Sequence, residues 1–78
     1  MEFKILKAYG VIGESRGTTK ELNLVKWGNG EPKFDIREWP EEHDKPFKGI
    51  ALTSDQLLSL RTAIDKALKD GGSSEELG

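Results

Sequence analysis

Hydrophobic and polar positions in the first half of the chain follow a pattern that predicts β-strands. Residues 3–12 form an apolar, partly β-branched run interrupted by glycine, and glycine within a strand often marks a bulge or a bend. Residues 14–17 have the composition of a turn. A second strand is predicted from Leu22 to Trp27, and the Gly-Asn-Gly sequence at 28–30 is a strong turn signal.

The third predicted strand shows the cleanest alternation. Phe34 and Ile36 point to one side of it, whereas the other side carries Lys33, Asp35 and Arg37. Trp39 shares the parity of Arg37 if the strand stays regular that far. We therefore expect the Trp39 ring to face solvent, opposite the apolar side chains.

The second half of the chain begins with a loop and ends with a helix. Residues 40–46 are polar with proline at each end, which is typical of a loop or an edge, and residues 47–52 form a short fourth strand. Thr53 can cap the helix that follows, and Gln56 is placed to complete a capping box. The helix ends at Gly71-Gly72.

The predicted order β-β-β-β-α is an α+β fold. We expect a curved four-stranded antiparallel sheet followed by one C-terminal amphipathic helix, in a single domain spanning residues 1–70. Residues 71–78 contain little to bury, so a disordered tail is expected there. One helix can cover only one face of the sheet, so the other face is left open, and we expect the functional site on that open face.

A chain of 78 residues is short for a monomeric domain. Its core is marginal because a small domain buries a smaller fraction of its unfolded surface. The absence of cysteine removes disulfides and thiolate metal sites as sources of stability. We therefore expect a homodimer, with an interface that includes the apolar stripe of the helix: Leu57, Leu60, Ile64 and Leu68.

Charge gives a weaker indication. The net charge of −2 provides no overall attraction to nucleic acid, but residues 16–37 carry five basic and three acidic side chains, an excess of +2. No apolar run approaches the roughly 20 residues of a membrane span, and the first residues do not resemble a signal peptide. An intracellular, soluble protein is expected.

Catalytic and metal chemistry find little support. His43 lies among acidic residues in the proline-flanked loop, and consecutive loop residues rarely converge on one metal ion. The sequence Gly28-Asn29-Gly30 lacks the helix and Lys-Ser/Thr of a phosphate-binding loop. We interpret the His43 loop as a solvated, charged segment, and expect no enzymatic activity, metal or cofactor.

The two tryptophans point to nucleic acid. Trp27 and Trp39 end the second and third strands, and stacking of bases on such rings with cations along the phosphates is typical of single-strand binding. The cations nearest to them in sequence are Lys20, Lys26, Lys33 and Arg37. An alternative is that one or both rings pack in the core or at a subunit contact.

Three segments together resemble the positive cofactor 4 family of transcriptional coactivators, which bind single-stranded DNA. They are Lys-Phe-Asp-Ile-Arg-Glu-Trp at 33–39, Phe-Lys-Gly-Ile-Ala-Leu-Thr at 47–53 with the helix after it, and Glu-Leu-Asn-Leu-Val-Lys-Trp at 21–27. The last segment is similar to the short bacterial form, which implies a cytoplasmic, nucleoid-associated protein. The resemblance extends from about Phe3 to Leu68 and implies a homodimer that binds without base-specific readout.

The resemblance also assigns roles to residues. It implies that Arg37 contacts phosphate, that Lys48 lies near the DNA channel, and that Lys26 is a basic residue of the second strand. Trp27 and Trp39 fall beside the family's two stacking aromatics, each displaced by about one residue. The Ser- and Lys-rich regulatory arm of eukaryotic members has no counterpart in this sequence.

We therefore predict a sequence-independent, homodimeric, single-stranded DNA-binding protein that acts in transcription or in replication and repair, with RNA as a further possible ligand. A different class of function stays open: a protein-interaction module that uses the aromatic sheet face and the apolar helix. The acidic pI of 5.4 favours that alternative.

Overall fold

The computed structural model describes residues 2–71. Its elements are β1 (Phe3–Ser15), β2 (Thr18–Trp27), β3 (Lys33–Pro40), β4 (Gly49–Leu52) and α1 (Ser54–Lys69). The strands form one antiparallel sheet in the order β1-β2-β3-β4. The predicted α+β fold is confirmed. Apart from Gly71, the predicted tail lies outside the described residues.

The hairpin between β1 and β2 is tighter than the sequence suggested. Arg16 and Gly17 both have positive φ, 49° and 83°, as the two central residues of a type I′ turn require. This turn lets β2 begin at Thr18, four residues before the predicted Leu22. The turn lies within the predicted residues 14–17, but arginine is an unusual residue at the first positive-φ position, so the sequence did not indicate its type.

The sheet is strongly curved, as predicted. The pairing of β1 with β2 shifts register three times, between residues 5 and 7, 8 and 10, and 11 and 13, and such bulges bend a strand and increase its twist. Phe3 pairs with Trp27, whereas Trp39 pairs with Thr19. Along a straight strand, the β2 residues Thr19 and Trp27 would be roughly 26 Å apart. The Phe3 and Trp39 rings nevertheless lie 5.3 Å apart between centroids, so the strands must curl to bring them together.

The side of the sheet on which these rings meet is the buried one, and we call it the concave face. Val25 and Trp39 are both 0% exposed, and they are the buried hydrophobic residues of the described chain. Asn23 and Asp35 on the same face are also fully buried, and Glu21 nearly so. The prediction that Trp39 faces solvent is therefore wrong, although its shared parity with Arg37 is correct. Curvature encloses the face that alternation alone marks as polar.

The opposite side of the sheet carries α1, and we call it the helix face. α1 begins with the predicted capping box, in which the Thr53 side chain accepts from the Gln56 backbone N–H and the Gln56 side chain accepts from the Thr53 backbone. The helix lies against β3 and β4, and an apolar hollow of about 500 Å³ separates its leucines from Leu22 and Ile36 of the sheet. None of its residues is buried, and Leu68 is 70% exposed. Within residues 2–71, no helix has the length and apolar character to cross a membrane.

Candidate nucleic-acid interface

Arg37 is the centre of the polar contacts on the concave face. Its Nε and Nη2 donate to the two carboxylate oxygens of Asp35 at 2.6 and 2.7 Å, and its Nη1 donates to the Phe47 carbonyl at 3.1 Å. The guanidinium also lies 4.6 Å from the centroid of the Trp27 ring. A bidentate pair with a fully buried carboxylate holds the Arg37 side chain in one orientation.

Gly49 makes the close approach of β4 to β3 possible. It pairs with Arg37, and a Cβ at position 49 would lie 1.9 Å from the Arg37 Cβ and 2.5 Å from the Ile36 carbonyl oxygen. Only glycine fits this contact, since real Cβ atoms do not come so close. The glycine between Lys48 and Ile50 thus sets how β4 sits beside Arg37.

Three of the predicted cations line one open hollow beside β4. Lys20, Arg37 and Lys48 line one open hollow of about 580 Å³ with Ile36, Gly49 and Ile50, and we call it the β4 hollow. None of the described residues that line it is acidic. Lys20 and Lys48 come from strand and loop positions 28 residues apart in the chain, so only the tertiary structure makes them neighbours. The arrangement suits an anionic ligand.

A second basic hollow, of about 550 Å³, lies at the Trp27 end of the sheet. It is lined by Lys4 and Lys26 together with Glu2, Phe3 and Gly28. Lys4 and Lys26 are direct cross-strand partners, and like charges placed opposite each other destabilise a sheet. Neither lysine forms an ion pair within residues 2–71. Sequence reasoning missed Lys4, because only the β1–β2 register reveals its position opposite Lys26.

Trp27 lies beside one lining residue of each hollow. Its ring contacts Arg37, which lines the β4 hollow, and lies 5.9 Å from the ring of Phe3, which lines the second hollow. Trp27 is half-buried, so part of its surface is open to a ligand. Lys33 pairs with Val25 and is exposed at the start of β3. The predicted cations are therefore divided: register places Lys33 and Arg37 on the concave side, and Lys20 and Lys26 on the helix side.

Trp39 occupies a different environment. Phe3 packs against it at 5.3 Å, and the His43 ring stacks on it at 5.5 Å with an interplanar angle of 22°. Since the ring is fully buried, it offers no free face to a base. The alternative interpretation, a core tryptophan, is the one that the structure supports for Trp39.

A hydrogen-bonded network surrounds the buried carboxylate of Glu21. Thr19 Oγ1 donates to Oε2, Asn23 Nδ2 donates to Oε1 at 3.1 Å, and His43 Nε2 lies 2.8 Å from Oε2. Burial acts to raise the pKa of Glu21, but the hydrogen bonds and the nearby imidazole outweigh it and hold the pKa below its usual 4.5. The hydrogen bond to Glu21 raises the pKa of His43 above its usual 6.5, against a smaller opposing effect of burial.

Comparison with known proteins decides the family. The model of the family described as Transcriptional Coactivator p15 (PC4) matches residues 15–63, which is more than half of the chain. The chain belongs to the PC4 family. This is the family that the sequence resemblance indicated, and its members are non-enzymatic DNA-binding coactivators. The match covers β2, β3, β4 and most of α1, and therefore includes the β4 hollow.

The chain is also similar to an uncharacterized protein of Treponema pallidum (strain Nichols). The two are 28% identical over 69 residues, which cover 87% of this chain and 81% of that protein. The similarity therefore extends over almost all of the described PC4-family fold. No group of three or more potential metal-ligating side chains was found within residues 2–71.

Two site features could have been found in the sequence. Asp35 and Arg37 are two residues apart in a strand, so they lie on one face and can pair. The Gly49 position next to Lys48 also signals a close backbone approach. Glu21 and His43, in contrast, are 22 residues apart, and no local pattern links them. His43 was interpreted as part of a solvated loop, whereas its ring packs on Trp39.

Proposed function

We propose that this PC4-family protein is a homodimer that binds single-stranded DNA without sequence preference, and that it serves as a transcription cofactor or a replication and repair accessory in the bacterial cytoplasm, at the nucleoid. The observation that carries the proposal is the β4 hollow, which Lys20, Arg37 and Lys48 line with no acidic side chain among the described lining residues. Family membership supports DNA as the anion.

A single strand suits this surface better than a duplex. The half-buried Trp27 ring lies beside Arg37 and Phe3, which line the two basic hollows, and an unpaired base can stack on such a ring for about 1–3 kcal/mol. The cations of the hollows can follow the phosphates on either side. Stacking and phosphate contacts carry little sequence information, which supports binding without base preference. The same contacts are available to RNA.

The open helix face supports a second copy of the chain as partner. Leu57 and Leu60 are half-buried, whereas Ile64 and Leu68 are exposed beside the apolar hollow that α1 forms with the sheet. Monomeric proteins rarely leave large apolar surfaces in water. A homodimer formed through α1 would cover this apolar surface, whereas Trp27 and Arg37 lie on the other side of the sheet.

Replacement of Lys48 tests the DNA-binding surface. We expect Lys48→Ala to weaken binding to all single-stranded sequences alike and to lower the slope of log K against log salt by about 0.7, because one phosphate contact is lost. The measurement is a fluorescence-anisotropy titration with mixed-sequence oligonucleotides at several salt concentrations. Lys66→Ala, which removes an exposed lysine from α1, is the matched control and should bind as the parent does.

The same titration distinguishes the alternative function. A protein-interaction module that uses apolar contacts would bind oligonucleotides weakly, and its protein partner with little dependence on salt. If the Lys48→Ala and Lys66→Ala variants bind single-stranded DNA with equal affinity, the β4 hollow is not part of the DNA-binding surface.

Sedimentation tests the dimer. We expect a species of about twice 8.7 kDa at micromolar concentration. Ile64→Asp should convert it to a monomer of reduced stability, because a charge would be placed in the apolar interface. Ser59→Asp adds the same charge at an exposed position on the other side of α1 and should leave the dimer intact. A stable, folded monomer of the parent chain at that concentration would contradict the homodimer.

A further inference from the structure

The loop between β3 and β4 is fastened across one end of the concave face. Near its start, His43 reaches Glu21 of β2 and its backbone N–H donates to the Pro40 carbonyl at 2.9 Å. Near its end, the Phe47 carbonyl accepts from Arg37, and the Phe47 N–H donates to the Glu38 carbonyl at 3.1 Å. Between these two attachments, residues 44 and 45 are exposed.

The surroundings of the His43 ring determine its protonation state. Nε2 lies 2.8 Å from a carboxylate oxygen of Glu21, and Nδ1 lies 3.0 Å from the carbonyl oxygen of Glu41. Both neighbours are acceptors, and only the imidazolium can donate from both nitrogens. In either neutral tautomer, one nitrogen lone pair would face an oxygen. The observed geometry is therefore that of the charged ring.

The loop conformation depends on these contacts. His43 has a φ of 55°, a left-handed conformation that non-glycine residues adopt at a cost in energy. The stack of the ring on Trp39 and the two hydrogen bonds offset that cost. Loss of the ring proton removes one hydrogen bond and the attraction to Glu21, while the backbone cost stays.

We propose that His43 is a protonation-controlled latch: as imidazolium it holds the 41–48 loop against β2 and covers Trp39, and on deprotonation the loop detaches at its His43 end and uncovers the Trp39 ring. The latch goes beyond the proposed DNA binding and does not depend on it. It provides a way in which Trp39, buried in the latched state, becomes accessible without unfolding of the sheet.

The charged groups around the latch favour the protonated state. Glu21 faces the ring from β2, Trp39 from β3 is uncharged, and Glu41 of the loop presents its carbonyl. Glu14 and Arg16, at the β1–β2 turn, line the same hollow of about 560 Å³ as His43. Among the described residues that line this hollow, the acidic side chains therefore outnumber Arg16, which is its one cation besides His43.

The sign of the pH dependence follows from the two perturbed groups. The pKa of His43 is raised in the fold, so its contribution to stability is complete below its ordinary value of 6.5 and is lost as pH rises through the higher folded value. The pKa of Glu21 is lowered, so its contribution is complete above 4.5 and is lost as pH falls through the lower folded value. The latch is closed between these limits and opens on the alkaline side.

Nuclear magnetic resonance titration tests the latch directly, because His43 is the one histidine of the chain. We expect a midpoint above 6.5 in the parent protein and a return toward 6.5 in Glu21→Gln. Glu42→Gln, which neutralises an exposed carboxylate of the same loop that has no contact with the ring among the described hydrogen bonds, is the matched control and should keep the raised midpoint.

Acrylamide quenching reports the uncovering of Trp39. In Trp27→Phe, Trp39 is the one remaining tryptophan, and quenching should increase as pH rises, with the same midpoint as the histidine signal. The parent chain with both tryptophans should show the same midpoint at smaller amplitude, which covers the case in which Trp27→Phe does not fold. His43→Asn tolerates the positive φ but does not titrate, so its quenching should be high at every pH.

Two results would overturn the latch: a His43 midpoint at its ordinary value, or quenching that does not change across the histidine titration. Neither result would bear on DNA binding, which is measured separately with the Lys48→Ala series.

Discussion

Trp39→Ala is expected to lower the free energy of unfolding by about 3–5 kcal/mol, measured by urea denaturation. The ring is 0% exposed and packs against Phe3 and His43, so its removal leaves a cavity where the two ends of the curled sheet meet. A loss of this size is a large share of the stability of a domain of this length. The affinity of any remaining folded protein for single-stranded DNA should change much less than its stability.

Trp39→Phe is the companion variant that keeps the measurement interpretable if the alanine variant does not fold. It preserves an aromatic contact with Phe3 and His43, and should retain most of the stability lost in Trp39→Ala. The opposite result, an alanine variant with parental stability and a DNA affinity reduced by about 1–3 kcal/mol, is what a base-stacking platform would produce. That result would contradict the buried position of Trp39.

Arg37→Ala is expected to cost about 3–5 kcal/mol of unfolding free energy, because it leaves the fully buried Asp35 carboxylate without its partner. The variant also loses the hydrogen bond that Arg37 donates to Phe47 and its contact with Trp27. Chemical denaturation measures the loss. DNA affinity alone would not separate the two roles of Arg37, since an unfolded variant binds nothing specifically.

The double variant Asp35→Ala/Arg37→Ala separates these roles. Removal of both charges leaves no unpaired ion in the concave face, so part of the stability lost in Arg37→Ala should return. If Arg37 also contacts phosphate, the double variant should still bind single-stranded DNA more weakly than the parent, with a smaller salt slope. A double variant as unstable as Arg37→Ala would show that the ion pair does not account for the loss.

Arg37 thus stabilises the fold through its pair with Asp35, and it also lines the β4 hollow. Its side chain is 15% exposed, and three of its N–H groups are already used within the chain. The remaining donors are available to a ligand, because a guanidinium has five. A ligand that reaches these donors from the concave side would meet an arginine whose orientation is already set by Asp35, Phe47 and Trp27.

Local features of the sequence determined the elements of this fold. The capping box of Thr53 and Gln56 is a contact between residues three positions apart, and it forms as predicted. The alternation in β3 likewise gave the correct parity of Arg37 and Trp39, since successive side chains of a strand point to opposite faces. The glycines of β1 indicated bulges, and register shifts occur beside Gly10 and Gly13.

What the sequence left undetermined was which face of the sheet is the interior. Alternation divides a strand into two sets of side chains, but the enclosed set depends on the direction in which the whole sheet bends. The bulges of β1 and the long-range contact of Phe3 with Trp39 make the polar side concave, so Asp35 and Trp39 are buried there while Phe34 and Ile36 are only half-buried. The pairing of Glu21 with His43 and the convergence of Lys20 with Lys48 depend on the same bend and on the β4 loop. These are contacts between distant parts of the chain, and only the tertiary structure could decide them.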